Sequence, residues 1–155
     1  MGTFSRETKP GRKIDPWYVT GFAEGEGSFT FSRAGKHMAL YFAIKLTAKD
    51  EPILVAIQKF LGGIGTIYPV KARKPQTRAG YTKSARYFRV TNIADLEYVI
   101  QHFDRYPLCG LKAQSYLIWR EMVLLKKNFR TVPIEELEAL AQKLSSLSHR
   151  NQPWE

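Results

Sequence analysis

The sequence predicts an α+β protein in which helices alternate with paired strands, in the order α-ββ-α-ββ-α-α. Two observations carry this prediction. Stretches of apolar/polar alternation come in two pairs, and stretches of helical periodicity with cap residues precede and follow each pair. The chain of 155 residues is 44% hydrophobic and 13% aromatic, which is enough for one packed core.

Residues 1–14 are polar and basic, with Pro10 and Gly11, and read as a mobile arm ahead of a single domain over 15–155. Asp15-Pro16 is a helix start, with Asp as N-cap and Pro at the first helical position. That helix is expected to run to about Glu26 and stop at Gly27. S-F-T-F-S then alternates as a strand, Ala34-Gly35-Lys36 turns the chain, and a second strand spans about Met38 to Thr47. It puts Phe42, Ile44 and Leu46 on one face and Tyr41, Ala43, Lys45 and Thr47 on the other. Asp50 can cap a helix through Phe60, with Ile53, Ile57 and Phe60 inward and Gly62-Gly63 as its end. Ile64 to Val70 reads as a strand. A basic loop rich in turn residues follows, then a fourth strand over Arg86 to Thr91, with Phe88 and Val90 inward and Tyr87, Arg89 and Thr91 outward. Helices are expected over Asp95 to Phe103, Leu111 to about Lys126, and 134–146 after Pro133.

Lys and Arg number 24 against 14 acids, a net charge of +10 that calls for a polyanionic partner, nucleic acid or an anionic membrane surface. No apolar run approaches a membrane span, the N-terminus lacks the apolar stretch of a signal peptide, and Arg6 stands where a myristoylation signal wants Ser or Thr. An intracellular site of action is expected, in a bacterial or archaeal cytoplasm or an organelle. The single Cys109 excludes a disulfide framework. His37, His102 and His149 have no metal-like spacing, and no phosphate-binding Gly-x-x-x-x-Gly-Lys run is present.

The basic residues are segregated. Gly27 to Lys49 holds Arg33, Lys36, Lys45 and Lys49 with no acid, and Lys71 to Val90 holds seven basic residues, Arg73, Lys83 and Arg89 among them, with no acid. One sheet face buried under helices leaves the other free. That face carries Ser28, Thr30, Ser32, Tyr41, Lys45, Thr47, Tyr68, Tyr87, Arg89 and Thr91. An ordinary solvated face would look similar, but the segregated charge favours a nucleic-acid surface, since Ser, Thr, Arg and Lys read base edges and phosphates.

W-Y-V-T-G-F-A-E-G-E-G holds the most informative pattern. Gly21 and Gly25 lie on one helical face, one turn beyond Trp17, and each costs roughly 1 kcal/mol relative to alanine. Small residues at this spacing let helix backbones approach closely, within the subunit or across a two-fold axis. Glu24 and Glu26 face the negative end of the helix dipole. A basic neighbour could offset them; alternatively, their oxygens suit a hard cation that also contacts phosphate.

Val19-Thr20-Gly21-Phe22-Ala23-Glu24-Gly25-Glu26-Gly27 resembles the signature of the LAGLIDADG homing endonucleases. S-F-T-F-S, A-I-K-L-T-A-K-D, G-G-I-G and F-D-R-Y-P-L…K-A-Q-S-Y-L-I-W-R-E are also similar to that family, so the resemblance covers roughly residues 15–130. It implies an αββαββα fold whose saddle-shaped antiparallel sheet sits on double-stranded DNA. One motif per chain implies a homodimer on a long, roughly palindromic site, with Trp17, Gly21, Phe22 and Gly25 at the interface. The resemblance also implies a metal site at Glu26 with the Gly25 carbonyl, filled by Mg²⁺ or another divalent cation such as Mn²⁺, with Ca²⁺ as a non-cleaving substitute. Cleavage of both strands would leave short 3′ overhangs. Glu24 matches the motif's first acid, with a structural or electrostatic role.

Two departures bear on catalysis. Ala48 stands where many members have a Gln that positions solvent, with Lys49 beside it as a substitute. The basic residue near the start of the late helix is matched by Lys112, or its place falls at Gly110. Two rivals share the fold: an RNA-binding maturase that assists intron splicing, and a DNA-binding protein that does not cleave.

Overall fold

A computed structural model describes residues 13–72 and 83–147. Helix α1 spans Pro16–Glu26 and is capped as its sequence dictates: Asp15 Oδ1 accepts the Trp17 N–H at 2.8 Å. Strands β1 (Gly27–Ala34) and β2 (His37–Thr47) form a hairpin. A 3₁₀ turn at Ala48–Asp50 leads into α2 (Glu51–Phe60). Strands β3 (Thr66–Val70) and β4 (Ala85–Val90) follow, then α3 (Ile93–Arg105), α4 (Leu111–Asn128) and α5 (Ile134–Ser146).

The four strands form one antiparallel sheet in the order β1-β2-β4-β3. The register pairs Phe29 with Phe42 and Ile44 with Phe88, so the inward residues of three strands meet on one face. Helices α1 to α4 pack against the sheet and α5 lies on α4. Phe29 is the hub of the core, its ring 5.1–5.2 Å from Phe42, Phe103, Tyr116 and Trp119. Trp119 is fully buried, and its indole N–H donates to Thr30 O at 3.1 Å, tying α4 to β1. A forked pair joins α3 to α4: Arg120 Nε and Nη2 donate to Asp104 at 2.9 and 2.8 Å.

Several boundaries differ from expectation. The third strand begins at Thr66 rather than Ile64, because Gly65 turns the chain at φ +72° under β4. The third helix begins two residues earlier, at Ile93, since Asn92 supplies the cap and accepts the Ala94 N–H at 2.9 Å. Leu54 joins Ile57 as a fully buried residue of α2, while Ile53 and Phe60 pack only partly. The 1–14 arm lies outside the described residues except for Lys13 and Ile14, and Arg73 and His149 lie outside them too.

Candidate functional site

The site begins where α1 meets β1. Gly27 follows Glu26 directly and opens the strand. A Cβ on Gly27 would stand 2.9 Å from Ala23 O, so the corner closes this tightly only with glycine. The corner leaves Glu26 exposed at the helix end, with no side-chain hydrogen bond or ion pair among the described residues.

Glu24 points the other way, toward α4. Its Oε1 accepts the N–H groups of Cys109 and Gly110, each at 2.8 Å, at the start of that helix. In return, Lys112 Nζ donates to Ala23 O at 3.0 Å and Glu24 O at 2.9 Å, the last carbonyls of α1. Glu24 thus satisfies two amides at the positive end of α4, and Lys112 satisfies the Glu24 carbonyl at the negative end of α1 and adds a second donor to Ala23 O, which already accepts the Gly27 N–H. Burial raises the Glu24 carboxyl's pKa, but the two amide hydrogen bonds, the Cys109 thiol and Lys112 outweigh it and hold it below the usual carboxylate value. Burial lowers the Lys112 ammonium below its ordinary value, and Glu24 and Glu26 only partly oppose this. Lys112 is thus a positive charge whose field both Glu24 and Glu26 feel. Lys49 sits exposed in the 3₁₀ turn that directly follows β2. Ala48 offers only a methyl, and its N–H is engaged by Ser84 O at 2.9 Å.

The other side of α1 is bare. A Cβ on Gly21 or Gly25 would meet nothing within 4 Å. Trp17 and Tyr18 beside this face are 56% and 44% exposed, and the Phe22 ring stacks on Tyr18. The two glycines are thus not used for close packing within the described chain. The buried side of the helix is fixed instead by Thr20, whose hydroxyl donates to Tyr106 O at 2.8 Å and lies 3.0 Å from His102 Nε2.

The free sheet face is as the alternation predicts for Ser28, Thr30, Ser32, Tyr41, Lys45, Thr47, Tyr68, Tyr87 and Arg89, which share one parity in the register. Thr91 and Lys83 are exposed at the two ends of β4, and Lys36 is in the β1–β2 turn. Arg33 differs from the rest: it has the opposite parity and forms an ion pair with Glu138 of α5, on the helix side of the sheet. Nothing in the local sequence announces that partner, 105 positions away. On the free face, Arg89 lies over the Tyr41 ring at 3.8 Å and Tyr68 stacks on Tyr87 at 5.3 Å. Burial, then the neighbouring Tyr41 and Tyr68, raise the Tyr87 hydroxyl above its ordinary value.

Residues 19–123 match the family model of the LAGLIDADG endonucleases. The chain belongs to this family. It is 33% identical over 130 residues to an uncharacterized 50.9 kDa protein in ND4 intron 1 of Podospora anserina, covering 78% of this chain and 26% of that protein. It is 27% identical over 143 residues to the probable intron-encoded endonuclease 3 of Neurospora crassa, covering 88% of this chain and 25% of that one. Among solved structures, the LAGLIDADG meganuclease I-AabMI bound to uncleaved DNA matches with a TM-score of 0.68 and 27% identity, over 83% of this chain and 44% of that one. The meganuclease I-SmaMI bound to uncleavable DNA matches with a TM-score of 0.69 and 25% identity, over 90% and 44%. The chain thus spans about a quarter of these fungal relatives and under half of these solved LAGLIDADG chains.

Proposed function

We propose that this LAGLIDADG chain is one half of a site-specific, divalent-metal-dependent double-strand DNA endonuclease, pairing with a second copy of itself on a long, roughly palindromic site. The observation that carries the proposal is the uncovered glycine face of α1, which ends in a free Glu26 next to Lys112. Two such helices packed face to face bring two Glu26 carboxylates together beside two basic sheet faces, one for each half of a duplex.

The donor set suits a hard cation such as Mg²⁺: an uncommitted carboxylate at Glu26, with the Gly25 carbonyl one residue before it. Among the described residues no cluster of three or more acids, histidines or cysteines exists, so one chain offers only part of a site. The rest would come from the second copy, phosphate and water. A divalent cation held there would supply an activated water and neutralise phosphate charge. Lys112 keeps α1's end in place and adds a positive charge where phosphate charge builds up. The sheet face supplies affinity through phosphate contacts and selectivity through base edges.

The deciding experiment is a Mg²⁺ cleavage selection on a random duplex library, run beside Glu26→Gln. The expected result is a symmetric motif bound by both proteins and cut, with short 3′ overhangs, only by the unmodified one. Binding without cutting by either would leave a DNA-binding protein. No enriched duplex at all would overturn the proposal.

A further inference from the structure

We infer that Arg89, held flat by Tyr41, reads a guanine in duplex DNA, and that the tyrosines around it do not form a platform for unpaired bases. This rests on the DNA reading above and names the base that the middle of the sheet would recognise.

Arg89 faces Ala43 on β2 and Thr66 on β3, so it lies inside the sheet rather than at its edge. The small Ala43 leaves room for the side chain to cross diagonally to Tyr41, two residues from Ala43 along β2. There the guanidinium carbon lies 3.8 Å from the ring centroid. An exposed arginine is ordinarily mobile, with about 2 kcal/mol of rotamer entropy to lose on binding. Stacking removes much of that freedom in advance and fixes the plane of the fork. Nε is covered and has no hydrogen-bond partner, and no carboxylate among the described residues pairs with this arginine. The terminal amines are left as two parallel donors on a fixed plane. That arrangement matches O6 and N7 of guanine in the major groove. A phosphate needs no such fixed plane, and the unstacked Lys45 of β2 can serve it.

The tyrosines argue against unpaired RNA on this face. Readers of single strands present bare aromatic faces on which bases stack. Here Tyr68 and Tyr87 are turned to each other, 5.3 Å apart with 29° between their planes, and Arg89 covers Tyr41. What these rings leave toward a ligand is edges rather than open faces, which suits base-pair edges in a groove.

The test is selection of bound duplexes from a random library with the full chain, its Arg89→Lys, Tyr41→Thr and Tyr41→Phe variants, and a single-stranded RNA library alongside. Circular dichroism checks that each variant is folded. The expected result is a symmetric motif with one guanine in each half-site that Arg89→Lys ceases to select while the other positions persist, with about 10- to 100-fold weaker binding to the original site. Tyr41→Thr should blur the same position, and Tyr41→Phe, which keeps the ring, should retain it. If the motif persists unchanged in both Arg89→Lys and Tyr41→Thr, the inference is overturned and the endonuclease reading stands. If the unmodified chain enriches single-stranded RNA and no duplex, both fall.

Discussion

His102 should make this protein lose stability in mild acid. The ring is 7% exposed, enclosed by Phe60, Phe103 and Tyr106, and its Nε2 lies 3.0 Å from the Thr20 hydroxyl. That hydroxyl has one proton and donates it to Tyr106 O, so it must accept from His102, which fixes the Nε2–H tautomer. A second proton would have to go on the other ring nitrogen, among apolar rings. Burial accordingly lowers the pKa from 6.5 to about 4. The unfolded chain then binds the proton first. Stability is intact above pH 6.5, falls as the pH drops toward 4, and falls no further below that on this residue's account. At about 1.36 kcal/mol per pH unit, the full loss is about 3 kcal/mol, or about 6–12 °C in Tm for a chain of this size. Urea unfolding followed by far-UV circular dichroism, at fixed protein concentration from pH 4 to 8, measures it. His102→Gln does not titrate and should show a flatter profile between pH 6.5 and 4.5. The acids Glu24, Asp104 and Glu138, whose pKa values are lowered, act in both proteins and cancel in the comparison. Parallel profiles for the two proteins would refute the reasoning.

Gly21→Leu meets no obstacle within the chain, so the stability of the separated subunit should hold or rise while self-association weakens by about 10-fold or more; sedimentation equilibrium reads this, and an unchanged dimer would count against the α1 interface. Lys112→Met leaves the Glu24 carbonyl without its donor, while Ala23 O keeps the Gly27 N–H, and should cost about 1–2 kcal/mol, or about 2–8 °C in Tm, with a larger proportional loss in single-turnover cleavage. Gly65→Ala places a methyl 2.7 Å from Arg89 O at φ +72°, and should cost about 3 kcal/mol in denaturant unfolding.

The fold was legible wherever its causes are local. Asp15-Pro16 announced α1 because cap and helix are adjacent, and the alternation through Phe42, Ile44, Phe88 and Val90 announced the faces because strand periodicity depends only on the chain itself. Trp17, Gly21 and Gly25 could be placed on one helical face for the same reason. What stayed hidden depends on residues far apart in the chain. The alternation could have put Arg33 on the helix side, but its partner Glu138 could not be foreseen. Lys112 was recognised as a basic group near the site, yet its hold on the carbonyls of Ala23 and Glu24 spans 88 to 89 positions. The stacking of Arg89 on Tyr41 needed the β2–β4 register, which no single strand encodes.

The corner at Gly27 has a consequence for how such a protein could change its target. No linker separates Glu26 from the first residue of β1, and the packing of Gly27 on Ala23 leaves the joint no room to flex. Under the proposed function, strand β1 would serve as a ruler whose zero mark is the Glu26 carboxylate, with a graduation about every 3.3 Å. Exchanging side chains along the ruler would alter which bases are favoured at each mark. It would not shift the marks, so a lineage could drift to new sequences while the distance from reading to cutting stayed constant.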